Sequence, residues 1–316
     1  MPEFFIALGI ILVLASAAVG LSYYCFKKTF YVSRNEPEAE IGDVTAKVAD
    51  VFAPFRGRIG EWRREVEKLP GRELEIISFD GLRLKGTYYE YEKGAPIEIM
   101  FHGYKGSGHR DLCGGVMRAR KQGRSTLMVD HRASGSSEGN VITFGINESR
   151  DCRAWIDLVI EKIDKDAKII LTGISMGAAT VLIAAGRDDL PENVIGVIAD
   201  CGYTSPKEII KKTAKEMGYP AALTYPFIKL GARLFGHFNV DEFSPEKAMK
   251  KCKLPVIFFH GDVDDFVPHE MSKRNFDACT AEKKRLVTIE GAGHGVAFPV
   301  DEEAYLAALA EFFGDI

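Results

Sequence analysis

The sequence predicts an α/β fold: a mostly parallel, eight-stranded sheet with helices on both faces, a small helical cap, and an apolar helix ahead of them. Three observations carry this. From about residue 96 onward, short apolar, β-branched runs alternate with helical stretches, the rhythm of a sheet covered on both faces. Between two of those runs, about fifty residues are helical in pattern and hold no strand, an interval too long for an idle loop. Finally, no charged residue occurs from Phe4 to Phe26.

That N-terminal run is rich in Ile, Leu, Val, Phe and Ala, and at about 1.5 Å per residue it makes roughly 30 Å of helix, the thickness of a bilayer core. Tyr23 and Tyr24 stand where an interfacial aromatic belt belongs, and Lys27, Lys28 and Arg34 follow. Residues 1–32 therefore read as a retained single-pass anchor in the cell membrane. A cleaved signal peptide is the competing reading, because Ala15-Ser16-Ala17 resembles a cleavage site. Against it, the first residues carry Glu3 and neither Lys nor Arg, and the apolar run outlasts a usual signal sequence. With basic residues only on its C-terminal side, the anchor places the remaining chain in the cytoplasm, with export as the alternative.

Residues 33–71 begin polar and irregular, then turn helix-like through Val44–Phe52 and Ile59–Lys68, with Trp62 and Val66 on one face and Pro70-Gly71 as the stop. They read as a linker and pre-sheet helical segment without chemistry of their own. The sheet domain occupies 72–316. Glu73–Phe79 and Leu82–Glu90 flank Asp80-Gly81, a hairpin signal that starts the sheet antiparallel. Pro96–Phe101, Ser125–Asp130, Lys168–Thr172, Val194–Asp200, Pro255–His260 and Lys284–Glu290 complete it. The cap insertion spans about 204–250. Of the aromatic residues in and beside it, Tyr203, Tyr225 and Phe227 either bind substrate, lining an acyl pocket, or form the cap's own core.

Composition narrows the partners. With 46% hydrophobic and 27% charged residues the chain has ample core for one large domain, and its net charge of −4 gives no reason to expect nucleic acid. The six cysteines are scattered without a C-x-x-C pair, as free buried thiols would be. No H-E-x-x-H or His/Cys cluster exists among the seven histidines, so neither a metal nor a cofactor is expected.

The chemistry centres on Gly173-Ile174-Ser175-Met176-Gly177, between a buried strand and a helix of small residues. A serine hydroxyl is a weak nucleophile that must stand on a sharp, strained turn within reach of a base, and glycines two residues to either side leave room for that turn. Two later loops offer the partners. His294, in Gly291-Ala292-Gly293-His294-Gly295, follows the last strand and is the candidate base. The preceding strand runs into His260-Gly261-Asp262-Val263-Asp264-Asp265-Phe266-Val267-Pro268, whose spacing selects Asp264 as the orienting acid over Asp262 and Asp265; Asp200 is an outside candidate. An oxyanion also needs two amide donors. Met176 supplies one, and Tyr104, in the loop His102-Gly103-Tyr104-Lys105-Gly106-Ser107-Gly108, is the choice for the other, with His102 structural.

These stretches, with Asp130-His131-Arg132-Ala133-Ser134-Gly135-Ser136-Ser137-Glu138-Gly139, resemble the motif set of the α/β-hydrolase superfamily. The nearest likeness is to bacterial membrane-anchored serine hydrolases of the esterase/lipase and serine-aminopeptidase-like branch. The likeness covers about residues 72–315 and departs from the usual pattern at Ala133, where glycine is common. It implies an α/β-hydrolase fold and a Ser-His-Asp serine hydrolase cleaving carboxylic esters of small molecules through an acyl-enzyme. A thioesterase, an acyltransferase or a small-peptide peptidase would use the same machinery. A non-catalytic receptor or scaffold on the fold is the alternative of another class. Acyl-chain length and oligomeric state are not encoded in any motif found.

Overall fold

The structure, a computed structural model, describes residues 1–33 and 51–314. The polar start of the expected linker, and most of the helix expected over Val44–Phe52, lie outside the described residues. Eight strands form one sheet: β1 (Gly71–Ile77), β2 (Arg83–Tyr89), β3 (Ile97–Phe101), β4 (Ser125–Val129), β5 (Ile169–Ile174), β6 (Val194–Asp200), β7 (Val256–Gly261) and β8 (Lys284–Ile289). Their order is β1-β2-β4-β3-β5-β6-β7-β8. β2 runs antiparallel to both β1 and β4, and every pairing from β4 to β8 is parallel.

The burial of each strand explains its place. β3, β4 and β7 are buried at every residue, which only a sheet packed on both faces allows, whereas β1 is largely exposed, as an edge strand is. The chain places β4 on one side of β3 and β5 on the other. Two consecutive connections therefore leave the carboxyl edge of the sheet in opposite directions, and a crevice opens there.

The helices that frame the core and the site are α1 (Pro2–Thr29), α2 (Arg56–Glu67), α3 (Cys113–Lys121), α4 (Ile146–Lys162), α5 (Met176–Ala185), α6 (Pro206–Glu216), α7 (Ala221–Phe235), α8 (Pro245–Met249), α9 (His269–Ala278) and α10 (Glu302–Phe313). One core joins the sheet to α4 and α5 through Trp155, Ile156, Val181 and Leu182. The other joins the opposite face to α2, α3 and α10 through Trp62, Val116, Leu309 and Phe312. Each such side chain contributes about 1.5–3 kcal/mol when fully withdrawn from water. Within the second core, Glu98 on β3 is fully buried and held by Arg118 at 2.5 Å, Arg124 at 2.8 Å and the Thr172 hydroxyl at 2.9 Å.

α1 is long and apolar enough to cross a membrane. Its C-terminal third is not free: Phe26 and Phe30 are buried in a third core with Tyr203, Ile210, Tyr225 and Ile228. Beyond it the backbone joins the domain, with Val32 N–H donating to Asn140 and Ile142 N–H donating to Phe30.

Candidate active site

Ser175 follows β5 directly and caps the start of α5, with φ 55° and ψ −113°. A positive φ at a residue with a Cβ is strained backbone, held because the surroundings leave no alternative. The Ser175 amide donates to the Asp200 carbonyl at 2.8 Å. A Cβ at Gly177 would run into the Phe101 carbonyl oxygen, and one at Gly173 into the Gly177 carbonyl. Both glycines are thus required by close backbone approach.

The three chemical groups anticipated at this edge come together. His294 Nε2 lies 2.9 Å from Ser175 Oγ, and His294 Nδ1 lies 2.7 Å from Asp264 Oδ2. A carboxylate only accepts, so Nδ1 carries the ring proton and Nε2 accepts from the serine hydroxyl. Asp264 Oδ1 accepts the amides of Phe266 and Val267 at 2.9 and 2.8 Å. Burial alone would raise the Asp264 carboxyl. Electrostatic attraction to the His294 ring, whose Nδ1–H faces it, and hydrogen bonds from His260 and His294 outweigh it and hold the group well below the usual carboxylate range. Asp262 and Asp265 do not join: Asp262 instead accepts the Gly291 amide at 2.7 Å.

His260 is a member of the site that the sequence reading quoted but gave no role. It is fully buried, its Nε2 is 2.7 Å from the Val267 carbonyl and 3.1 Å from Asp264 Oδ2, and its Nδ1 is 2.6 Å from Ser272 Oγ. Two acceptors on Nε2 fix the proton there, and Nδ1 accepts from Ser272. The signal was present in the sequence, since His260, near the end of β7, stands four residues before Asp264 on the loop that follows.

Tyr104 follows β3 and lines the crevice with Gly103; Met176 opens α5, where a helix leaves its first amides without intrahelical acceptors. The Tyr104 hydroxyl donates to the Thr29 carbonyl at the end of α1, 2.8 Å away. His102 is fully buried; its Nδ1 meets the Gly103 carbonyl at 2.7 Å and its Nε2 accepts the His131 amide at 3.0 Å, so it shapes this loop and has no free nitrogen to act as a base. Ala133 adopts φ 60°, which explains why glycine is at home there. Beside it, Arg132 bonds Asp80 and Asp151, so the loop is a structural brace.

A cavity of ≈ 150 Å³ opens beside Ser175, walled by Ile59, Trp62, Met100 and Phe298, with Asp200 and Tyr305 at polar positions. Tyr203, Tyr225 and Phe227 are not among its lining residues. Tyr203 is buried and donates to the Phe144 carbonyl at 3.0 Å, Tyr225 donates to Asp241 at 2.6 Å, and Phe227 sits half-exposed on α7. The cap's α7 packs against α1, whereas the cavity is walled by residues of α2, α3 and β3. The pre-sheet segment, read as bland, supplies the wall. Phe52 also lines the cavity, and Val51 and Phe52 press on Gly293 and Gly295 around His294.

Asp200 approaches the site from β6. Burial pushes its carboxyl up to about 6, against electrostatic attraction to the His260 and His294 rings and a hydrogen bond from Tyr305. Its second oxygen has no hydrogen-bond partner. Among the described residues, one cluster has metal-ligand spacing, Cys201 with Asp264 and His294. There the carboxylate and imidazole already bond one another, and burial pushes the Cys201 thiol well up, away from a thiolate ligand. All six cysteines are free thiols, Cys25 alone being less than fully buried.

Residues 143–316 match the prolyl oligopeptidase family, peptidase family S9. An uncharacterised Bacillus subtilis protein, YqkD, is 27% identical over 100% of this chain and 98% of its own length. The fission yeast protein bem46 is 22% identical over 81% of this chain and 79% of its own. The thiohydrolase aneE of Aspergillus aculeatus is 30% identical over 44% of each. Among solved structures, an esterase of Pyrococcus furiosus superposes with TM-score 0.66 at 20% identity, covering 79% of this chain and 93% of that one. The acylaminoacyl peptidase of Pyrococcus horikoshii gives TM-score 0.59 at 19% identity, covering 81% of this chain and 43% of that one.

Proposed function

This chain belongs to the prolyl oligopeptidase family and carries the α/β-hydrolase fold, and from that premise we propose that it is a serine hydrolase that cleaves carboxylic esters through an acyl-enzyme. The observation that carries the reading is His294, 2.9 Å from Ser175 Oγ on one side and 2.7 Å from Asp264 on the other. Ser175 Oγ attacks the ester carbonyl while His294 Nε2 takes its proton, and Asp264 steadies the imidazolium. The Tyr104 and Met176 amides hold the oxyanion. His294 returns the proton to the departing alcohol, and water repeats the sequence on the acyl-enzyme.

The acyl group lies against Trp62 and Phe298. A cavity of this size is that of an engineered apolar void that takes up benzene, which favours a short chain or a single ring over a long fatty acyl group. A thioester is the second reading, favoured by the aneE likeness; the acyl-enzyme is identical and only the leaving group changes. α1 crosses the cell membrane, with Lys27 and Lys28 keeping the domain on the cytoplasmic side. Protease added outside intact cells should leave the domain uncut, and digestion there would reverse that topology.

The test is labelling by a fluorophosphonate probe. The wild-type protein should label, Ser175→Ala should not, and turnover of a short p-nitrophenyl ester should fall about 10⁴–10⁶-fold in that variant. A folded wild-type protein left unlabelled would instead support the non-catalytic reading.

A further inference from the structure

The cap exposes what a water-soluble surface hides. Beyond residue 33, nine large apolar side chains are exposed among the described residues, and five of them, Met217, Tyr219, Leu223, Leu230 and Leu234, fall within 217–234. The three leucines lie on α7 at spacings of seven and four, with exposed Pro226 between the first two, so they form one stripe. The opposite face of the same helix is also apolar: Tyr225, Ile228 and Ala232 are buried in the core shared with α1. A helix apolar on both faces, with one face open, does not belong in water.

The position of that stripe is fixed by α1. Gly231 lets α7 approach so closely that a Cβ there would strike the Ser22 carbonyl, and the Phe235 ring packs against Tyr23 and Phe26. Phe4–Leu21, the part of α1 left bare, spans about 27 Å at 1.5 Å per residue, close to the roughly 30 Å of a hydrocarbon core. The bilayer boundary then falls near Ser22–Tyr24, the level at which α7 packs. The backbone bonds joining residues 30 and 32 to 140 and 142 tie the domain to the end of α1. Charge agrees: Ser205–Phe238 holds six Lys and Arg against two Glu, in a chain whose net charge is −4. Such a segment suits anionic headgroups.

We propose that α7 is a second membrane contact: the Leu223–Leu230–Leu234 stripe lies in the headgroup–acyl boundary beside α1, and the surrounding lysines meet anionic lipid. This holds the carboxyl edge of the sheet, and with it Ser175, against the bilayer. The inference rests on α1 crossing the membrane, and not on ester cleavage.

The experiment uses the full chain in phosphatidylcholine/phosphatidylglycerol vesicles containing a doxyl-labelled phosphatidylcholine that quenches tryptophan. Native Trp62 and Trp155 are buried and provide the background. Leu223→Trp and Leu230→Trp, both at exposed positions, are compared with Glu92→Trp in the exposed turn between β2 and β3 and with Leu12→Trp inside α1. Quenching at 223 and 230 should exceed that at 92 by at least threefold and approach that at 12. Quenching at 12 alone overturns the cap contact and leaves the anchor standing. A blue shift at 223 without quenching also overturns it, since another protein surface would then cover the stripe. No quenching at 12 removes anchor and cap contact together. Loss of fluorophosphonate labelling bears on neither.

Discussion

Asp264→Asn isolates the orienting role of the acid while keeping its shape. In the variant, the oxygen of the new carboxamide can still accept the Phe266 and Val267 amides that Asp264 Oδ1 accepts at 2.9 and 2.8 Å, so the loop keeps its frame. The new NH₂ replaces the oxygen that receives His294 Nδ1–H at 2.7 Å. Two donors cannot face each other, so the ring proton moves to Nε2, toward Ser175. The imidazole then has no lone pair for the serine proton. The expected loss is about 10⁴-fold in kcat, equivalent to about 5.5 kcal/mol of barrier. Steady-state kinetics on a short p-nitrophenyl ester read this directly, with circular dichroism showing that the variant is folded. A folded Asp264→Asn within about tenfold of wild type would refute the assignment, and Asp200 would become the acid.

Two further substitutions test the frame around the site. Glu98→Ala leaves Arg118 and Arg124 buried without their shared partner and should cost about 3–5 kcal/mol in urea unfolding; a loss under about 1 kcal/mol would show that the guanidiniums find other acceptors. Asp200→Asn should stabilise the protein more at high pH than at low. Because the folded carboxyl is raised from 3.8 to about 6, the wild type loses stability as pH rises through that window. The advantage of the variant should therefore grow by about 2 kcal/mol between pH 4.5 and 8, and thermal melts that shift equally at both pH values would contradict it.

Much of this was legible because local chemistry dictated it. A strand, a glycine-flanked serine and a small-residue helix can make only one kind of turn, and the Cβ clashes at Gly173 and Gly177 show why. Six of the eight strands announced themselves as short apolar runs, and the hairpin signal at Asp80-Gly81 marked the other two as the antiparallel edge. Illegible parts depended on which of two apolar faces turns inward. α7 carries apolar residues on two opposite faces, so its sequence could not say that Tyr225 packs in the core shared with α1 while Leu223 points out. Trp62 advertised a buried face, but nothing near it named the partner as Phe298, whose stacked ring completes the cavity wall from over two hundred residues away. Glu98 hid for the opposite reason: a lone acid in an apolar strand gives no sign of the two arginines that neutralise it.

The cap and the apolar N-terminal helix also have to be understood as one structure. Phe26 and Phe30 are 4% and 0% exposed, and their burial contributes about 3–6 kcal/mol together. That is a large share of the roughly 5–15 kcal/mol that holds a domain folded. The partners they cover, among them Tyr203, Ile228 and Phe238, would otherwise be a bare apolar floor beneath the cap. The Thr29 carbonyl, one of those a helix leaves without an intrahelical donor, is taken by the hydroxyl of Tyr104, the residue whose amide is proposed to meet the oxyanion. The last turns of α1 therefore do two jobs that an anchor on a loose tether could not do. They close the third core, and they fix the loop that faces Ser175.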